Sequence, residues 1–121
     1  MEANNRYEIQ KFKVVVNDSE IVFENKIRKS LEIGNMLLLL MVTPSGTFYN
    51  ENVIGVSLTE KKIMWQIAKL KFKTLWGDTD CPYVDIKYHN GRLYLNNLCD
   101  TYLIVDPLTG DILERSLPSK S

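Results

Sequence analysis

The residue types that carry chemistry are few in this chain and widely spaced. There is one histidine, His89, beside Asn90-Gly91. A general base or a metal ligand needs partners, and none adjoins it. Asp78-Thr79-Asp80 begins like a calcium loop, but Cys81-Pro82-Tyr83 follows. Such a loop needs glycine at its sixth position and glutamate at its twelfth. These carboxylates are therefore expected to cap backbone N–H groups of a polar turn. The six glycines are scattered singly, so no phosphate-cradling loop exists, and there is no nucleophile elbow. Cys81 and Cys99 lack metal-ligand spacing and are expected to be free thiols. No catalytic residue, metal or cofactor follows, and the expectation is a protein that is not an enzyme. The enzymatic alternative uses the carboxylates of the 78–85 loop.

Binding chemistry has more to work with. Lys69, Lys71 and Lys73 alternate with Leu70 and Phe72, which puts three ammonium groups on one strand face. That face offers a nucleic-acid alternative, in which lysines track a phosphate backbone without a stacking platform. Phe48 and Tyr49 lie in the polar stretch Thr43 to Asn52, where exposed aromatics can serve recognition. Tyr94, Lys87 and Arg92 complete the candidates for protein binding, and Tyr94 is the aromatic that falls on a polar face.

The elements that position these residues are strands. Asn90-Gly91 suits both positions of a type I′ turn, which wants φ > 0 twice. With that turn closing a hairpin, His89 faces Arg92, Tyr88 faces Leu93 and Lys87 faces Tyr94. Val84, Ile86, Tyr88, Leu93 and Leu95 then share one face. Asp85, Lys87, His89, Arg92, Tyr94 and Asn96 share the other, and a slip of one residue would mix the two sets. Thr101 to Asp106, the turn Pro107-Leu108-Thr109-Gly110 and Asp111 to Ser116 continue the meander. Upstream, Tyr7 to Val16 and Glu20 to Phe23 are strand-like, and Lys26 to Ile33 reads as a charged edge strand. Met36 to Val42 is apolar throughout, as a strand buried on both faces requires. Val53 to Leu58 and Ile63 to Ile67 are strands about a turn, and 76–82 is a loop. Across 60–74 a helix competes, because Ser57 and Glu60 have capping-box spacing and Ile63, Ile67 and Leu70 recur at helical intervals.

The 121 residues suffice for one domain. Lys plus Arg and Asp plus Glu number 15 each, so no global charge draws the chain to nucleic acid or membrane. The longest apolar run has seven residues, against roughly 20 for a membrane helix. The N-terminus is polar, without a secretory apolar stretch, and the expected location is the cytoplasm.

Sliding the chain by 48 residues lays Val56–Trp65 on Ile104–Leu113, and both segments read strand, four-residue turn, strand. They resemble the outer hairpin of quinoprotein-type propeller repeats, in which A-x-D-x-x-T-G-x-x-x-W recurs. The second copy keeps Asp106, Thr109 and Gly110, with Ile104 for the Ala and Glu114 for the Trp. In the first copy Lys61-Lys62 stands for the Thr-Gly, and Trp65 falls one residue short. From Leu37 to Arg115, about two-thirds of the chain, the order of motifs resembles a group of small bacterial single-domain proteins of roughly two blades. Some of these sit beside toxin genes. The resemblance implies a binding role, and in this setting an immunity or antitoxin-like one. It implies no quinone pocket, since closing a propeller takes roughly four blades.

The expected object is thus a single all-β domain, an open antiparallel meander. It has an N-terminal hairpin extension (1–35) and two blade-like units (36–76 and 83–117). Its expected partner is another protein, and a homodimer by edge pairing is expected besides.

Overall fold

Short antiparallel strands make up most of the described part of the chain. A computed structural model describes residues 7–43, 51–68, 72–74, 77–79, 81–98 and 101–115. The first sheet holds β1 (Tyr7–Ile9), β2 (Lys13–Val16) and β3 (Ser19–Val22). The second holds β4 (Ile27–Ile33), β5 (Met36–Met41), β6 (Val53–Ser57) and β7 (Lys62–Gln66). A two-stranded ribbon follows, β8 (Phe72–Thr74) with β9 (Gly77–Thr79). The last sheet holds β10 (Tyr83–His89), β11 (Arg92–Asn97), β12 (Tyr102–Val105) and β13 (Ile112–Arg115). Neighbours in sequence are neighbours in each sheet, every pairing is antiparallel, and no sheet closes on itself. The chain is all-β and open, as expected, with no helix among the described residues.

The sheets stack in three layers, and β5 explains why. Alternate side chains of a strand point to opposite faces. Leu37, Leu39 and Met41 enter one core with Val14 and Val16 of the first sheet. Met36, Leu38 and Leu40 enter another with Ile86, Leu93, Leu95, Leu103 and Val105 of the last. Every position of β5 is buried. Each such Leu contributes about 1.5–3 kcal/mol through removal from water.

The charged segment before Gly34 is an edge strand, as expected: it is β4 of the middle sheet, and its Leu31 and Ile33 pack on the core that β5 shares. Several other expectations are corrected. The helix competitor fails, since Lys62–Gln66 is strand. Ser57 Oγ does accept the Glu60 N–H at 2.9 Å, but Lys61 then takes φ 60° and returns the chain into β7. The expected 76–82 loop contains β9. Cys81 is buried and disulfide-bonded, against the expectation of a free thiol. Spacing along a sequence says nothing of the distance a disulfide needs. Cys99 lies outside the described residues.

The two four-stranded sheets repeat each other down to their irregularities. In the first hairpin of each, Ile33 faces Met36 and His89 faces Arg92; the ladders break between Ile27 and Lys29 and between Tyr83 and Asp85. These correspond at an offset of 56. In the second hairpins Val56 faces Ile63 and Val105 faces Ile112, each beside a bulge, at an offset of 49 rather than 48. The same offset superposes the bonds Lys61 N–H to Ser57 C=O (2.8 Å) and Gly110 N–H to Asp106 C=O (2.7 Å). It also lays Trp65 on the position of Glu114, and Gly55 on that of Ile104.

Trp65 joins the two units. Its Nε1 donates to the Pro107 carbonyl at 2.9 Å. A Cβ added to Gly55 on one side, or to Gly110 on the other, would overlap its ring. The indole is thus laid between two bare backbones, and only glycine leaves that space. Asn52 is a second tie. It is fully buried, donates to the carbonyls of Met41 (3.1 Å) and Tyr83 (2.9 Å), and accepts the Tyr83 N–H (3.1 Å).

Candidate functional site

The turn Asn90-Gly91 has φ of 52° and 78°, as a type I′ turn demands. It sets the register that brings Lys87 opposite Tyr94 and His89 opposite Arg92. The outward face of the last sheet therefore carries Lys87, His89, Arg92, Tyr94 and Asn96. Tyr102 of β12 also turns outward and is 38% exposed. Its ring meets that of Tyr94 at 5.6 Å between centroids and 57° between planes. Tyr88, expected on the inward face, is 48% exposed.

A groove of about 620 Å³ lies beside β10. Ile86–His89 of β10 line it, with Tyr94 and Asn96 of β11 and with Lys29 and Leu31 of β4. Lys29 and Leu31 escape a reading of the sequence because they arrive by packing of one sheet against another. The offset of 56 was the available signal, for it makes Lys29 the counterpart of Asp85 in the repeat. These two counterparts form an ion pair, Lys29 Nζ to Asp85 Oδ1 at 2.6 Å, across the junction of the two sheets. The Lys29 hydrogen bond holds the Asp85 carboxyl below the ordinary carboxylate range. Partial burial opposes it, and the charge of Lys29, the Ile86 N–H and the charge of Lys87 reinforce it.

Lys87 enters no ion pair among the described residues. Arg92, by contrast, is turned toward Glu114, at 3.3 Å. Of the protein-binding candidates, then, Lys87 and Tyr94 line the groove and Arg92 lies beside it. Phe48 and Tyr49 lie outside the described residues, as do Lys69 and Lys71. Lys73 is placed by its backbone in β8, and Asp78 in β9. No group of three potential metal-ligating side chains occurs among the described residues. A groove of this kind can hold an anionic group by charge and flat apolar groups against tyrosine rings.

No helix among the described residues is long and apolar enough to cross a membrane. No curated protein and no solved structure matches the chain. Residues 4–117 match the family described as Domain of unknown function (DUF7957), and the chain belongs to that family.

Proposed function

We propose that this protein is a non-catalytic protein-binding module and that the groove beside β10, with the tyrosines next to it, is its binding face. The observation that carries this is the meeting of Lys87, Tyr88 and Tyr94 in one groove, with Tyr102 against Tyr94. Exposed tyrosines beside a charged side chain are the residue types that supply binding energy at protein interfaces. The finer proposal, an immunity or antitoxin-like role, rests on the resemblance to quinoprotein-type repeats. Trp65 supports that resemblance, since at the offset of 49 it occupies the pattern's Trp position, with Gly55 at its Ala position.

The experiment is affinity capture from a lysate of the source organism with the wild-type chain and with a Lys87→Glu/Tyr94→Ala variant of unchanged circular dichroism. One stoichiometric partner that survives a salt wash on the wild type and is lost on the variant is the expected result. Identical capture by both would sink the assignment of this face. The proposed location is the cytoplasm, and the Cys81 bridge provides its test. A bridge intact in rapidly alkylated cells would move the protein to an oxidising compartment, because disulfides seldom persist in reducing ones.

A further inference from the structure

The repeat gives the stack of sheets a direction, and the direction names a partner for the binding face proposed above. Leu37, Leu39, Ile54 and Val56 of the middle sheet face the first sheet. Their counterparts at the offsets of 56 and 49 are Leu93, Leu95, Leu103 and Val105, which face the middle sheet. Each sheet thus turns the same face to the sheet before it, and its other face is left to receive the sheet after it. In the middle sheet that receiving face includes Met36, Leu38 and Val53, and the last sheet is seated on it. The counterparts in the last sheet are Arg92, Tyr94 and Tyr102 on its outward face. Arg92 and Tyr102 are exposed there and Tyr94 is half-buried.

The seat has kept its place in the repeat and changed its residue types. Met, Leu and Val suit a contact made once, during folding. Arg and Tyr are enriched at contacts between separate proteins. A unit that merely ended the stack would need a polar outer face, which charged side chains supply without a pair of tyrosines.

The opposite end of the stack carries the complement. The outward face of the first sheet is built from Glu8, Lys13, Val15, Glu20 and Val22, because Val14, Val16 and Ile21 alternate with them into the core. Lys13 pairs with Glu20 at 3.2 Å, which leaves the carboxylate of Glu8 over. On the last sheet Arg92 pairs with Glu114, which leaves the ammonium of Lys87 over. Glu8 and Lys87 enter no ion pair among the described residues. Val22 adds an apolar side chain that is 69% exposed.

We propose that the last sheet receives the first sheet of a second copy of this chain, so that copies stack head to tail, by faces rather than by edges. The order is the one the sheets already follow within a single chain. Glu8 answers the charge of Lys87, and Val22 covers apolar surface of the tyrosine rings. The contact is heterologous, so the two surfaces that meet are different parts of the chain. Packing last sheet on last sheet is the poorer arrangement, because it brings Lys87 and Arg92 toward the same cations of the other copy.

The test uses the purified full chain at low salt, with mass followed by light scattering and sedimentation over a range of concentrations. One variant spoils the receiving face, Lys87→Glu/Tyr94→Ala. A second spoils the first sheet's outward face, Glu8→Lys/Val22→Lys. Circular dichroism checks that both remain folded. The wild type is expected to show an average mass above that of one chain, rising with concentration and falling as salt is added. Each variant alone is expected to associate more weakly by about tenfold or more. An equimolar mixture of the two is expected to restore a complex of two chains, since the face spoiled in one is intact in the other. A wild type that stays monomeric at every concentration overturns the proposal. So does a mixture that stays apart, or either variant associating as the wild type does. The inference rests on the binding face proposed above, and the two failures are distinguishable. A monomeric wild type whose lysate partner still depends on Lys87 and Tyr94 removes only the second copy. A lysate partner indifferent to both residues removes the binding face itself.

Discussion

Truncating Asn52 to Ala would leave the Tyr83 N–H and C=O and the Met41 carbonyl in a buried place without the amide that serves them. A buried polar group deprived of its partner costs about 1–3 kcal/mol. We expect Asn52→Ala to lose about 3 kcal/mol in urea unfolding, a large share of the roughly 5–15 kcal/mol of an ordinary domain. The Lys29–Asp85 pair is more modest, since both side chains are about one-third exposed, at 39% and 34%. Its contribution is on the order of 1 kcal/mol. The Asp85 carboxyl is held below its unfolded value, so the pair stabilises fully above about pH 4 and loses its effect as pH falls through the folded value. Asp85→Asn is accordingly expected to unfold more easily than wild type at pH 7, by a margin that shrinks as pH falls below about 4, measured by denaturant titration across that range. Neither residue was legible as a tie. The Lys29–Asp85 and Asn52–Tyr83 contacts each reach from the middle sheet to the last, and nothing in the local sequence announces them.

At the level of elements, the repeat makes a sharper prediction. Gly110 has φ 77°, and its bare backbone faces the Trp65 ring. Gly110→Ala adds left-handed strain of about 1–2 kcal/mol and a clash on top of it. In a Trp65→Leu background the clash is relieved and only the strain remains, so the two substitutions are expected to be non-additive by about 1 kcal/mol or more in a double-mutant cycle. Additive losses would mean that the indole does not bind the units together. The hairpins themselves were readable. Asn90-Gly91 and Pro107 to Gly110 carry their turn chemistry locally, and a register set by a turn decides which side chains share a face. Hence Tyr94 was placed opposite Lys87 from sequence alone. Tyr102 was not placed outward, because every other residue of β12 is apolar and Tyr fits either face. The offset was misjudged by one residue because the two second turns, Thr59 to Lys62 and Pro107 to Gly110, share no turn residue that fixes their alignment, and apolar runs alone match at either offset.

For the molecule as a whole, the middle sheet is the one that both neighbours depend on. β5 is paired on both edges and buried on both faces. The slowest amide hydrogen exchange is therefore expected across Leu37 to Leu40, opening only with global unfolding. Faster exchange there than in β11 would contradict the stacked order. The apolar run announced this strand, whereas the layering did not follow from it, because a buried strand is equally at home in many sheet arrangements. The two units differ most in one connection. After β5 the chain is closed by the Met41 N–H to Asn52 C=O bond, and after β11 by Asn97 N–H to Thr101 C=O. The same latch thus shuts over spans that differ by seven residues. What lies beyond a latch of this kind is free to vary in length, because doubling such a span costs only about 0.6 kcal/mol in closure entropy. The position between Met41 and Asn52 is therefore an insertion port: a foreign peptide grafted there is expected to be displayed on an otherwise unaltered scaffold.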